Sequence, residues 1–302
     1  MTSTAAPQRQ LHAENFFLPA APGQRYCLYH PATGAPKAAL LYVAPFGEEM
    51  NRTRRAAALQ ARALAAQGCA VLQIDLYGSG DSDGEFADAD WQIWKQDLAL
   101  AHAWLAAKTG RAVGLWGVRL GALLALDYAA SALLPVARFV FWQPVLRGAV
   151  YLNQLLRLRL AGEMLAGGAQ SASIDSRQLR AALREQAQEI GGYDIAPSMA
   201  DAIESLDAGK LAAPDAPVVW FEVVAEAGRP APPPALQLAD SWRARGVQVA
   251  LQPVPDQPCW ATPEIAECPQ LRAATTAAMA EAIQAMQAGA AKTGATTEAR
   301  DA

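Results

Sequence analysis

Histidine is scarce in this chain: His12, His30 and His102 are the only three among 302 residues. Imidazole relays and most zinc sites draw on histidine, so few places can hold either. Cysteine is sparse too. Cys27, Cys69, Cys259 and Cys268 make no Cys-x-x-Cys pair and no ligand spacing with histidine. No metal or cofactor is therefore expected, and the thiols read as reduced and buried, as in a cytoplasmic protein. Basic residues form no stripe. The densest runs are Arg52/Arg54/Arg55 and Arg157/Arg159 in a chain of net charge −4, so nucleic acid is not an expected partner. Long apolar runs are missing as well. The most apolar stretch, Leu115 to Trp142, is interrupted by Arg119, Asp127 and Arg138, and reads as strand–helix–strand in a core rather than a membrane span. Residues 1–15 lack the basic patch and apolar run of a signal peptide.

What is present is apolar material. Hydrophobic residues make up 52% of the chain and charged residues 18%, enough for a sizeable core. The length suits one large α/β domain with an inserted subdomain. Phe16–Pro19 and Arg25–His30 flank a Pro22-Gly23 turn and predict an opening hairpin. Ala38–Pro45 is a continuous apolar run, the pattern of a strand buried on both faces, and Ala70–Asp75, Ala112–Trp116, Val136–Trp142 and Val218–Val224 read as further strands. Helical patterning fills the intervals, from about Asn51 to Gln67, from a cap at Asp88 to about Lys108, and from the Gly117–Gly121 turn to about Ala130. A last helix and strand, Leu236–Arg245 and Val247–Val254, lead to the loop Pro255–Pro269 and a final helix ending near Met286. Strands alternating with helices imply a mostly parallel sheet flanked by helices. Residues 145–212 show no clear strand and predict a helical cap over the C-terminal edge of the sheet. The domain is expected at 15–287, with disordered tails at 1–14 and 288–302.

A strand, then Gly-x-x-x-Gly, then a helix is the geometry of the nucleophile elbow. Here the five residues are Gly117, Val118, Arg119, Leu120 and Gly121. The glycines clear room for a turn so tight that side chains beside it would clash, and the central residue is projected into the site. The turn Asp75-Leu-Tyr-Gly-Ser-Gly-Asp-Ser-Asp-Gly84 resembles one found in α/β hydrolases before the helix that precedes the elbow strand. The pattern, from about Phe16 to Met286, predicts an α/β-hydrolase fold with a helical cap insertion.

Within that superfamily the chain resembles the exosortase A system-associated hydrolase 2 family. The resemblance rests on Ala44-Pro-Phe-Gly-Glu-Glu-Met-Asn51, Arg54-Arg55, Gln73-Ile-Asp-Leu76, Trp116-Gly-Val-Arg-Leu-Gly121 and Trp142-Gln-Pro144. It continues in Arg157-Leu-Arg-Leu-Ala-Gly-Glu-Met164 and Cys259-Trp…Pro263-Glu-Ile…Glu267-Cys268-Pro269. One departure is Ala44, where the family more often has a histidine. The resemblance implies a bacterial protein of an exosortase, PEP-CTERM sorting and exopolysaccharide system, acting on a lipid- or glycan-linked intermediate.

The chemistry that the fold usually performs needs a nucleophile, a base and an orienting acid. Arg119 holds the nucleophile position, and a guanidinium stays protonated at neutral pH. The base belongs in the loop Pro255–Pro269, which has no histidine. Glu222 or Glu226 could hold the acid position, but has no base to orient. Cys259 and Cys268 lie in the right loop without a histidine to activate them. Ser79 and Ser82 read as turn residues.

A charged constellation remains. The loop after Ala38–Pro45 carries Glu48 and Glu49, and a guanidinium under a cap needs a carboxylate partner among Glu48, Glu49 and Asp81. One reading is a salt bridge plugging an abandoned site. The other is an anion-recognising pocket around Arg119, with Trp142, Gln143 and Trp260 as walls and rim. Two function classes stay open at this stage: a hydrolase whose water is activated by Glu48 or Glu49, and a non-catalytic pseudoenzyme that binds an anionic ligand. The segment Tyr151–Leu160 is amphipathic with arginines on one side, and reads as a cap helix rather than a membrane-surface one.

Overall fold

The computed structural model describes residues 12–166, 176–262 and 264–298. The apolar runs become strands: β1 (Glu14–Pro19), β2 (Gln24–His30), β3 (Ala38–Val43), β4 (Cys69–Ile74), β5 (Val113–Val118) and β6 (Phe139–Trp142). Between them lie α1 (Glu48–Ala66), α2 (Trp91–Thr109) and α3 (Leu120–Ala129). After the cap come β9 (Val218–Val224), α7 (Pro233–Ala244), β10 (Val249–Pro255) and α8 (Pro269–Glu298). The cap itself holds α4 (Gly148–Ala166), α5 (Ser176–Glu185), a small hairpin of β7 (Gln188–Ile190) and β8 (Tyr193–Ile195), and α6 (Pro197–Ser205).

The main sheet has eight strands in the order β1-β2-β4-β3-β5-β6-β9-β10. From β4 to β10 all neighbours are parallel, and β1 and β2 add an antiparallel edge. Every residue of β3, β5 and β6 is buried, because helices cover both faces. One layer packs α2, α3 and α7 around Leu98, Leu123 and Trp242, and the other packs α1 and α8 around Leu64, Trp116 and Leu271. This is the three-layer α/β-hydrolase fold with a cap. In such sheets the C-terminal ends of the strands form the site.

Four elements differ from the sequence reading. Helix α1 starts at Glu48, so Glu48 and Glu49 form its first turn instead of a loop; carboxylates are favoured there by the helix dipole. The cap of α2 is Asp90, whose side chain accepts from the Ile93 amide at 2.7 Å, while Asp88 ends a separate short turn. Helix α8 continues to Glu298, past Met286, on alanine-rich sequence of high helix propensity. The cap contains the β7–β8 hairpin, closed by Gly191 and Gly192, both at positive φ, which β-branched or bulky residues resist. The expected N-terminal tail falls largely on residues 1–11, outside the described residues.

A buried charge pair braces the sheet edge. Arg25 on β2 and Asp97 on α2 meet at 2.7 Å with both side chains almost fully buried. The other Asp97 oxygen accepts from the Tyr77 amide at 2.8 Å, fixing the start of the glycine-rich turn.

Candidate functional site

Arg119 stands at the tight junction between β5 and α3 with φ 54° and ψ −121°. A non-glycine residue there carries about 1–3 kcal/mol of strain, held only where the surroundings enforce it. The enforcement is visible. The Arg119 amide donates to Trp142 O at 3.0 Å, and its carbonyl accepts from the amides of Ala122 and Val145, each at 3.1 Å. A Cβ on Gly117 would collide with Ala122, and one on Gly121 with the backbone of Val43 and Ala44. These two positions must be glycine for the helix to leave the strand so sharply.

The side chain leaves the elbow toward the start of α1. Arg119 Nε donates to Glu49 Oε1 at 3.2 Å, and Nη1 donates to Gln143 O at 3.2 Å. Tyr151, on the first turn of α4, donates its hydroxyl to Glu49 Oε2 at 3.1 Å. The guanidinium lies 5.9 Å from the Tyr151 ring centre and 5.8 Å from that of Trp260. The ion pair is mostly buried, at 15% and 19% side-chain exposure, so water screens it weakly. Burial pushes the Glu49 carboxyl up from its ordinary value, and the charge and hydrogen bond of Arg119 oppose that rise. Burial also raises Tyr151, and the neighbouring Glu49 charge adds to it, so the phenol stays protonated and donates. Among the described residues, the Arg119 side chain hydrogen-bonds through Nε and Nη1 and not through Nη2.

Two clefts flank the pair. One of about 600 Å³ is lined by Arg119, Gln143, Arg147, Val150, Tyr151 and Leu238. The other, about 620 Å³, lies beside Glu49 and is walled by Phe46, Leu155, Leu158, Ile190 and Trp260. Arg119, Glu49 and Tyr151 thus form a polar partition between two partly apolar spaces.

The remaining candidates divide. Gln143 reaches the site through its carbonyl and sits at φ 40°, with its amide donating to Phe221 O at 2.8 Å. Its side-chain Oε1 is buried without a partner. Trp260 lines the cleft beside Glu49, as a wall. Glu48 does not reach Arg119; it accepts from Asn51 at 3.0 Å and Arg52 at 3.3 Å near the surface. Helical periodicity explains this, since adjacent residues on α1 point about 100° apart. Asp81 is exposed on the glycine-rich turn and lines neither cleft, its amide bonded to Asp75 Oδ2 at 3.0 Å. Trp142 is a core residue, fully buried, stacked edge-on against Trp116 and donating to Thr275 at 2.8 Å. Strand alternation turns it to the α8 side of the sheet, away from the clefts.

Tyr151 was not legible as a partner of Glu49, because 102 residues separate them and only the cap's placement joins them. Glu222, on β9, is buried and accepts from Trp220 Nε1 at 2.8 Å. Burial lifts its carboxyl to about 7, against opposing contributions from that hydrogen bond and from Arg119. His30 faces Gln73 at 3.1 Å and His102 faces Tyr128 at 2.9 Å, so both are engaged away from the elbow. Among the described residues, no three His, Cys, Asp or Glu side chains gather as a metal site would require. No described helix is long and apolar enough to cross a membrane.

With its elbow, cap and parallel sheet, the chain belongs to the Hydrolase_4 family (serine aminopeptidase, S33), whose model matches residues 34–205. Among solved structures it is similar to Est1E from Butyrivibrio proteoclasticus with ferulic acid bound, at 14% identity, a TM-score of 0.63, and coverage of 90% of this chain and 99% of that one. A soluble variant of monoglyceride lipase from Saccharomyces cerevisiae, in complex with a substrate analogue, aligns at 12% identity and a TM-score of 0.60, over 95% and 99% of the two chains. Proline iminopeptidase from Mycobacterium smegmatis aligns at 13% identity and a TM-score of 0.55, over 92% and 100%. At these identities the likeness is one of fold. No curated protein sequence matches the chain.

Proposed function

We propose that this protein is a hydrolase-fold binding protein whose elbow recognises an anion in place of forming an acyl-enzyme. The observation that carries the reading is Arg119 at the nucleophile position, strained, paired with Glu49 and lining the 600 Å³ cleft. A planar guanidinium grips carboxylate or phosphate through parallel N–H donors, and a partly buried site strengthens that contact. Val145, Leu146 and Val150 on the cleft wall suit an apolar portion of the same ligand. The ligand class is therefore a small anionic molecule with an apolar part, in keeping with a lipid- or glycan-linked intermediate. The motifs shared with the exosortase A system-associated hydrolase 2 family speak for a cytoplasmic role in exopolysaccharide assembly linked to PEP-CTERM sorting.

A hydrolase with water activated by Glu48 or Glu49 is the competing reading. Both Glu49 oxygens already accept strong donors, and Glu48 accepts from Asn51 and Arg52 near the surface. Neither is held as a free base.

The test compares decyl phosphate with decanol by calorimetry on the full chain. Decyl phosphate should bind, and Arg119→Gln should weaken it at least about tenfold, the effect of losing roughly 1.4 kcal/mol of charge-assisted bonding. Fluorophosphonate probes should label no serine. Equal binding of phosphate and alcohol, or stoichiometric labelling of one serine, would overturn the proposal.

A further inference from the structure

The loop after β10 holds two thiols that the anion site does not use. Cys259 and Cys268 are both buried, nine positions apart, under the start of α8. The Cys259 amide donates to Cys268 Sγ at 3.3 Å, so the two thiols are neighbours and each perturbs the other's ionisation. The Cys268 thiol also lies 3.1 Å from Gln257 O. Cys268 adopts φ 45°, a left-handed conformation that non-glycine residues visit rarely. The other two cysteines differ: Cys69 lies 3.7 Å from a backbone carbonyl, and Cys27 sits among Leu72, Ile74 and other core side chains. Neither has a thiol neighbour among the contacts described.

We propose that Cys259 and Cys268 are a redox pair that a hydroperoxide converts to a reversible intramolecular disulfide. The neighbouring Cys259 draws the Cys268 thiol below its ordinary value, whereas burial holds Cys27 up at about 12. The Cys259 amide that donates to Cys268 Sγ favours a thiolate there, so Cys268 is the attacking sulfur. Its sulfur attacks the peroxide, forming an S–O bond and breaking the O–O bond. The departing alkoxide takes the proton Cys268 released and leaves as an alcohol. Cys259 sulfur then attacks the sulfenic sulfur, an S–S bond forms, the S–O bond breaks, and the hydroxide takes the Cys259 proton and leaves as water. Two thiols are oxidised and one hydroperoxide is reduced. The ring so closed contains Trp260, whose indole faces Arg119 at 5.8 Å and walls the 620 Å³ cleft. Oxidation therefore fixes one wall of the site covalently.

The experiment treats the folded full-length chain with hydrogen peroxide, then unfolds it in N-ethylmaleimide and digests it with trypsin. Both cysteines fall in one peptide, 246–272, with no internal Lys or Arg. That peptide should appear unalkylated and two hydrogens lighter than the dithiol, and dithiothreitol should restore two alkylation sites. Cys27 and Cys69 should remain alkylated throughout. Adding dimedone during oxidation should trap Cys268 at the expense of the disulfide, and Cys259→Ser should increase that adduct. The dimedone competition on the unaltered chain keeps the test independent of how the variant folds. A loop peptide that stays a dithiol while peroxide oxidises the others, sulfonic acid without a disulfide, or equal oxidation of all four cysteines would overturn the proposal.

Discussion

The Tyr151 hydroxyl binds the one Glu49 oxygen that Arg119 leaves free, so a cap residue completes a pair built by the core domain. The cap is thereby tied to the elbow through a carboxylate. Tyr151→Phe should cost about 1–2 kcal/mol, the penalty for removing a hydrogen bond to a mostly buried charged group. In urea titrations its effect and that of Glu49→Gln should be non-additive by at least about 0.5 kcal/mol. Simple additivity would mean that the two groups act separately.

Arg119→Ser should produce neither an esterase nor an equally stable protein. The loop at 255–269 has no histidine, and Glu49 would keep a buried charge without its cation. Stranding one partner of a buried pair costs about 3–5 kcal/mol, and relief of the elbow strain offsets only part of it. Turnover of short p-nitrophenyl esters by this variant, or an unchanged urea midpoint, would show the expectation to be wrong.

Glu222 should give the stability curve a negative slope with pH. Its folded value lies near 7 against an unfolded value near 4.5, so between those limits the native state binds the extra proton. Stability is then highest at or below the lower value and falls as pH rises through the higher. A shift of that size corresponds to about 3 kcal/mol lost across the window. Glu222→Gln keeps an oxygen for Trp220 and cannot ionise. The difference between the two proteins, measured by urea unfolding at pH 5, 6, 7 and 8, should widen in favour of the variant. Parallel curves would remove Glu222 from the account.

Arg25→Met should destabilise the fold by about 3–5 kcal/mol, since it leaves Asp97 buried and uncompensated. Asp97 is pushed up by burial, so the loss should shrink in acid as the carboxyl takes a proton. Differential scanning calorimetry at two pH values checks both statements.

Much of the architecture was legible because its strands are buried on both faces. Val218–Val224 was placed to the residue, since an apolar run interrupted only by Glu222 and preceded by Pro217 has few other structures. The elbow was legible because only glycine tolerates its neighbours' closeness. Element ends were less clear. Glu48 and Glu49 looked like loop residues, although acidic side chains after a glycine also suit a helix's first turn. The β7–β8 hairpin carries a Gly191-Gly192 turn signal, but the helical patterns on either side of it dominate the segment. Site membership was harder, because facing direction decides it. Trp142 and Gln143 are adjacent, yet only the Gln143 carbonyl meets the Arg119 guanidinium, while the Trp142 indole lies in the core. Tyr151 belongs to the site through tertiary placement alone, which no local pattern encodes.

The three-way contact of Arg119, Glu49 and Tyr151 also bears on descent. Each group satisfies another, so whichever changes first leaves a polar atom stranded under the cap. A lineage that changed position 119 to serine by single steps would first pass through a less stable protein. The contact therefore acts as a ratchet, making the arginine elbow easier to keep than to replace.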